Sequence, residues 1–300
     1  MASFSAWIQA FRLRTLPLSF SSIILGSSLA YYTGKFSWTI LMLALLTTLL
    51  LQILSNLAND YGDSKNGIDN ESRIGPARTV QSGQISSKQM GWMLVIISLL
   101  TIISGSILVF TGTQDIGFGN TLFFLILGLI AIVSAIKYTI GKRPYGYRGY
   151  GDLFVFIFFG LTGVGGTFFL HTNHLPWDIF LPASSVGLLS VGVLNINNMR
   201  DQVSDKKNGK RTLVVLLGTQ KAKIYHIALL AGAIITGLIF SLRHLNTPYQ
   251  FLFLLTLPML IQNMLHVMKN TLPQDLDGEL KKLALTTLLF SVSFGLGYVM

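Results

Sequence analysis

The sequence predicts an all-α integral membrane protein. Nine transmembrane helices form one membrane-embedded domain over residues 1–300, with cytoplasmic aspartate-rich loops after the second and sixth helices. Composition is the first observation behind this. Lys and Arg number 22 and Asp and Glu 12, so charged residues make up 11% of the 300, against roughly 25% in a typical soluble chain. Hydrophobic residues reach 51% and the mean hydropathy is +0.59, too apolar for a soluble globule of this length to cover its surface. The second observation is nine charge-free stretches, each able to cross a bilayer core of about 30 Å, which takes roughly 20 apolar residues. The third is where the basic residues fall between them.

In chain order the stretches lie at residues 15–34, 36–59, 89–114, 116–136, 153–177, 179–199, 224–242, 244–268 and 283–300. Gly34-Lys35 parts the first from the second, and the polar segment 60–88 parts the second from the third. Asp115, between the glycines of the segment Gly112–Gly119, turns the third into the fourth. A basic, tyrosine-rich segment separates the fourth from the fifth, and Asp178 the fifth from the sixth. Residues 200–223, Arg243 and the acidic run Asp275, Asp277, Glu279 set off the last three.

Lys and Arg near span ends resist translocation. With nine spans, every Lys and Arg except Lys35 and Arg243 falls on the side of the N-terminus. That side is therefore cytoplasmic, the C-terminus is outside, and the chain is expected in lipid contact in a bacterial cytoplasmic membrane. Segments 60–88 and 200–223 are long and polar on the cytoplasmic side, which is where chemistry is expected. No cleavable signal is expected, because the run after Arg12 and Arg14 lacks a small-residue cleavage site. The absence of cysteine excludes disulfide scaffolds, thiolate metal sites, iron–sulfur clusters and cysteine nucleophiles. The net charge of +10 does not indicate nucleic acid, since the basic residues form no single soluble stripe.

If the second helix runs on past the membrane, Asn56, Asn59, Asp60 and Asp63 stand at i, i+3, i+4 and i+7, on one helical face. Asn197, Asp201 and Asp205 stand at i, i+4 and i+8 after the sixth span. Both groups lead into Lys-Asn-Gly, at 65–67 and 207–209, and then into Arg and Thr, a weak internal similarity. Two oxygen-rich clusters facing each other suit Mg²⁺, which takes carboxylates and amides and keeps waters for a phosphate partner. Arg73, Arg78, Lys142, Arg148, Lys207 and Arg211 would neutralise the rest of a phosphate's charge. The implied ligand has a diphosphate head and an apolar tail. Carboxylates at a membrane boundary are costly and usually functional, whereas any single basic residue here reads equally as a solvated loop charge.

These segments resemble the two aspartate-rich motifs of the UbiA superfamily of intramembrane aromatic prenyltransferases, which have nine helices and cytoplasmic motifs after helices two and six. The family's first motif is Asn-Asp-x-x-Asp-x-x-x-Asp; this chain has Asn59-Asp60-x-x-Asp63-x-x-x-Gly67. Gly67-Ile68-Asp69 is similar to the branch acting on 1,4-dihydroxy-2-naphthoate in menaquinone synthesis. So are Arg14-Thr15-Leu16-Pro17-Leu18, Gly75-Pro76-Ala77-Arg78-Thr79-Val80-Gln81-Ser82-Gly83 and Tyr145-Gly146-Tyr147-Arg148-Gly149-Tyr150-Gly151-Asp152. Asn198-Met199-Arg200-Asp201 and Gly209-Lys210-Arg211-Thr212-Leu213 complete the likeness.

The resemblance implies transfer of a polyprenyl group from its diphosphate to the naphthoate, with decarboxylation. Asp60, Asp63, Asp201 and Asp205 are the expected catalytic residues, and with Asn59 and Asn197 the expected Mg²⁺ ligands. Asn56, Arg14, Asp69, Arg73, Arg78, Lys142, Tyr145, Arg148, Lys207 and Arg211 are expected to bind substrate, Arg14 through the acceptor carboxylate. An apolar chamber would keep water from an allylic cation. Competing readings are another acceptor (4-hydroxybenzoate or homogentisate) and a cation or lipid-phosphate transporter, against which the absence of acids within the spans argues.

Other features have plainer readings. Gly160, Gly163, Gly165 and Gly166 allow close helix packing, with a substrate portal as the alternative. Pro258 kinks its helix. His171 and His174 lie on the outer side, away from the acids. Asp275, Asp277 and Glu279 read as a solvated cap. Tyr138, Tyr145 and Tyr147 line the aromatic site or belong to an interfacial belt.

Overall fold

The computed structural model describes residues 2–68, 75 and 77–300; Asp69 and Arg73, both expected to bind substrate, lie outside them. The described residues form helices and no strand. A short amphipathic helix, α1 (Phe4–Phe11), precedes the first expected span. Ser3 caps it by accepting from the Ala6 N–H, and it buries Ala6 and Ala10 while leaving Phe4 exposed. Helix α2 (Leu16–Tyr32) occupies the first expected span with 17 residues, about 25 Å at the α-helical rise.

Eight longer helices follow: α3 (Trp38–Lys65), α4 (Ser87–Thr113), α5 (Phe118–Lys137), α6 (Gly151–Thr172), α7 (Trp177–Lys207), α8 (Thr219–Arg243), α9 (Pro248–Lys269) and α10 (Pro273–Val299). Each is long and apolar enough to cross a membrane.

Helix α3 packs on α4 and α5, α7 packs on α6 and α8, and α10 packs on α7 and the start of α9. Helix α2 is the seam, touching α3 and α6 and running along α10. Its Leu25 and Leu29 join the core of α6 to α10, while a second core joins α1, α3, α4 and α5 through Leu54, Leu57 and Met90. In α7, 72% of the most apolar window is buried, against 17% in α5, so α7 is the central post and α5 faces outward.

Two of the four glycines in α6 do pack helices. A Cβ on Gly160 would stand 2.6 Å from the Ala183 carbonyl of α7, and one on Gly163 2.7 Å from Ser22 Cβ of α2. Gly165 and Gly166 have room. The segment Phe156–Gly166 is wound as a π-helix, a rare form frequent at functional sites.

Several expectations change. The aspartate-rich segments are not loops: Asp60 and Asp63 lie on α3, and Asp201 and Asp205 on α7. Both helices run on past their apolar residues and end on the same left-handed stop. Gly67 and Gly209 have φ of +70° and +78°. Beyond them the Ile68 N–H bonds the Asp63 carbonyl at 2.9 Å, and the Lys210 N–H bonds the Asp205 carbonyl at 2.8 Å. This is the Schellman pattern, and Lys-Asn-Gly is its signature in both halves.

Pro258 does not kink a running helix. It opens the α-helical part of α9 after a 3₁₀ stretch, Pro248–Thr256, where a missing N–H costs nothing. The acidic run is a solvated cap only in part: Asp275 is exposed, but Glu279 is buried among Asn263, His266 and Lys282. Asp277 pairs with Arg200.

Candidate active site

Asp63 and Asp205 occupy the same place, the third residue from the C-terminal end of α3 and of α7, and both are buried. Tyr147 donates its hydroxyl to Asp63 Oδ1 at 2.5 Å, and Arg78 Nη2 lies 2.6 Å from Asp63 Oδ2. Lys210 Nζ lies 3.6 Å from Asp205 Oδ1 and 5.6 Å from the centre of the Tyr147 ring. Asn208 donates to the Ile68 carbonyl and the Arg211 N–H to the Tyr147 carbonyl, so the two helix ends are clasped together. The charges confirm that they converge. Burial, then the charges of Asp152, Asp63 and Asp205, push the Tyr138 hydroxyl well above its ordinary pKa. Burial, then the charge of Asp63 and the hydrogen bond to it, do the same to Tyr147.

Asp201 is held differently. Arg200 grips its carboxylate with Nε at 2.9 Å and Nη2 at 2.7 Å, reaches Asn197 Oδ1 at 2.9 Å, and extends Nη1 to Asp277 at 2.5 Å. Asp60 is also engaged, with both oxygens accepting from Thr79 and Val80. Asn56 donates to the Phe11 carbonyl and to Thr15. Asn59 accepts from the Thr139 hydroxyl at 3.3 Å.

Among the described residues no three carboxylates or imidazoles form a ready-made metal cage. The donor set nonetheless fits a hard cation. Asp205 Oδ2 and the amide oxygen of Asn198, two turns earlier on α7, are buried without a hydrogen-bond partner, and such oxygens are costly to leave so. Mg²⁺ binds through one or two carboxylates together with substrate phosphate oxygens, which is the arrangement on offer.

Beneath these residues a cavity of about 590 Å³ runs between α2 to α6. Ser19, Gln52, Asn56 and Asn59 line one wall, and Phe124, Phe154 and Phe158 the other. Tyr138 and Tyr145 close it towards the aspartates. Tyr145 stacks on Phe154 with ring centres 4.0 Å apart and donates to the Ser134 carbonyl. Burial, then the neighbouring Tyr138, raise the Tyr145 hydroxyl as well.

The structure thus brings together Asn59, Asp63, Arg78, Tyr145, Asp201 and Asp205. Lys142, Arg148, Lys207 and Arg211 have exposed side chains. Arg14 is exposed at the head of α2 and does not line the cavity. Tyr147, read as lining the aromatic site or belonging to an interfacial belt, donates its hydroxyl to Asp63. Sequence reasoning missed Lys210, Asn198 and Arg200 as site residues. Lys210 had one usable signal, its place directly after the glycine that stops α7. His171 is occupied by the Ser37 N–H and Ser27.

The described residues thus form a helical bundle around an apolar chamber, and comparison with known proteins places the chain in a family. The model of the UbiA prenyltransferase family matches residues 19–295, and the chain belongs to that family. It is 43% identical over 293 residues to the 1,4-dihydroxy-2-naphthoate octaprenyltransferase of Haemophilus influenzae, covering 97% of this chain and 94% of that one. With the enzyme of the same name from Escherichia coli it shares 44% over 292 residues, again 97% and 94%. The fold matches a UbiA homolog from Aeropyrum pernix with a TM-score of 0.69 at 17% identity, over 95% of this chain and 97% of that one. A UbiA homolog from Archaeoglobus fulgidus bound to GPP and Mg²⁺ aligns with a TM-score of 0.62 at 16% identity, over 96% and 98%.

Proposed function

We propose that this protein transfers a polyprenyl group from its diphosphate to 1,4-dihydroxy-2-naphthoate, releasing CO₂ and diphosphate and giving a demethylmenaquinol, the reduced form of a demethylmenaquinone-type product. The observation that carries this is the buried pair Asp63 and Asp205, on matched helix ends above an apolar cavity, in a chain over 40% identical to two naphthoate octaprenyltransferases. Asp63, Asp201 and Asp205, with the amides of Asn59, Asn197 and Asn198, would hold Mg²⁺. Bound there, the ion supplies positive charge to the leaving diphosphate.

The protein's own residues do the rest. Arg78 and Lys210, each already against a carboxylate, are placed to take phosphate oxygens. Tyr147 keeps its proton and holds Asp63 in orientation. The allylic C–O bond breaks with its electron pair leaving on the diphosphate. The ring carbon bearing the carboxylate forms the new C–C bond, and the electron pair from the lost CO₂ restores aromaticity. The phenylalanines of α5 and α6 exclude water, and the rings of Tyr138 and Tyr145 are positioned to face the cationic carbon.

The whole chain acts as one catalytic domain in the bacterial cytoplasmic membrane. Helix α2, the first in chain order, joins the eight longer helices to make nine spans; the N-terminus is cytoplasmic, the C-terminus is outside and the diphosphate site faces the cytoplasm. Purified protein in nanodiscs, given Mg²⁺ and a long-chain prenyl diphosphate, should release labelled CO₂ from carboxyl-labelled dihydroxynaphthoate, and lose this on chelation. Product from 4-hydroxybenzoate alone would overturn the acceptor assignment.

A further inference from the structure

We infer that Asp60, although it sits inside the aspartate-rich motif, is a positioning residue that sets Arg78 over Asp63, and not a ligand of the metal. This rests on the diphosphate-site reading above and changes the part played by one of its four aspartates. Asp60 is 1% exposed. Its Oδ2 accepts the Thr79 N–H at 3.1 Å and the Thr79 hydroxyl at 2.6 Å, and its Oδ1 accepts the Val80 N–H at 3.2 Å. An ionised carboxylate offers about four lone-pair sites, and three are spent on one short stretch of chain. Asp205 differs, since its Oδ2 meets no donor.

The stretch that Asp60 grips is stiff. The Ser82 N–H bonds the Arg78 carbonyl at 2.9 Å, and the Ile85 N–H bonds the Thr79 carbonyl at 3.1 Å. Ile85 is fully buried, and Gln9 of α1 donates to the Ala77 carbonyl. Arg78, one residue before the gripped Thr79, is 8% exposed and lies 2.6 Å from Asp63. Asp60 and Asp63 stand three residues apart on the same rigid helix. One carboxylate therefore anchors the backbone from which the guanidinium reaches the other. The clamp fixes a cation at the rim of the site, where misplacement by about 1 Å can cost a hundredfold in rate.

The test reads metal and diphosphate separately in nanodiscs. Binding of Mn²⁺ alone is followed by electron paramagnetic resonance, and KM for prenyl diphosphate and kcat by turnover. Asp63→Asn should weaken Mn²⁺ binding by about tenfold or more, as removal of a charged ligand implies. Asp60→Asn should leave Mn²⁺ affinity within about twofold and raise KM about tenfold, as Arg78→Ala should also do. The double variant should be no worse than Arg78→Ala alone, because the two act as one unit. Thr79→Val removes a single bond of the clamp and should show the same pattern more weakly if Asp60→Asn does not fold, with Thr79→Ser between it and the parent. Loss of Mn²⁺ affinity in Asp60→Asn comparable to that in Asp63→Asn would overturn the assignment, as would fully multiplicative effects in the double variant. A parent that binds no Mn²⁺ would instead bring down the site reading beneath it, and this inference with it.

Discussion

At the scale of single residues, burial separates interactions that look alike. Arg200 bridges two carboxylates, but Asp201 has a side-chain exposure of 7% and Asp277 of 44%. Removing the guanidinium strips two donors from a buried carboxylate, a loss of up to about 3–5 kcal/mol. Removing the half-exposed partner costs about 1 kcal/mol or less. Arg200→Leu should therefore lose most of its folded protein in a detergent unfolding assay, while Asp277→Asn stays close to the parent; equal effects would mean that the bridge works as one unit.

The tyrosines make a second prediction. Burial first, then neighbouring negative charge for Tyr138 and Tyr147 and the adjacent Tyr138 for Tyr145, raise these hydroxyls in the folded protein above the ordinary value of about 10. The folded state then binds protons more tightly than the unfolded one. The associated stability is fully present below about pH 10 and is lost as pH rises towards the raised folded values. Thermal midpoints should be flat on this account from neutral pH to about pH 9 and fall beyond pH 10, with a shallower fall in Tyr147→Phe. An unchanged alkaline slope in that variant would remove Tyr147 from the explanation.

At the scale of elements, the site depends on where two helices stop. Gly67 stands where the family motif has its last aspartate, and its φ of +70° explains the residue, since a side chain there would be strained by about 1–2 kcal/mol. Gly67→Ala and Gly209→Ala should each be destabilised by about 1 kcal/mol, and Gly67→Asn by less, in the same unfolding assay. Close approach sets a steeper contrast along the α3 face. A Cβ on Gly62 would lie 2.6 Å from Thr139 Oγ1, whereas one on Gly91 of α4 meets only Tyr61 at 4.0 Å. Thr139 ties the Ala58 carbonyl and Asn59 to the end of α5. Gly62→Ala should therefore impair turnover at least tenfold and Gly91→Ala should not, measured as kcat/KM in nanodiscs.

At the scale of the molecule, topology is open to a direct test because the chain has no native cysteine. In inverted membrane vesicles, whose cytoplasmic face is outward, a membrane-impermeant maleimide should label Lys207→Cys. It should label Lys35→Cys only in right-side-out spheroplasts, as the charge asymmetry demands. The reverse pattern would turn the whole bundle over. Helix α2 decides the integrity of the bundle, because it touches α3, α6 and α10. A Cβ on Gly295 of α10 would lie 2.5 Å from Ser28 Oγ, which makes this seam the tightest join between the first span and the last.

The amino-acid sequence by itself determined the solvent and the helices, and it carries the expectation that the chemistry faces the cytoplasm. Those are properties of composition and period: twenty apolar residues need a bilayer, and basic residues resist crossing it. The same reading picked out Asp63 and Asp205 as candidates, because their spacing from their Lys-Asn-Gly stops is local. Partners across the fold were not legible. Nothing near Asp60 in the chain shows that Thr79 will use up its oxygens, or that Tyr147 will turn to Asp63 while Tyr145 turns to the cavity. Nor does Glu279, three residues before Lys282 in an acidic run, show that α9 will bury it. Such assignments depend on which donors arrive from helices and loops distant in sequence, and in a low-dielectric interior a carboxylate must be met by whichever donors do. The tertiary structure decided that choice.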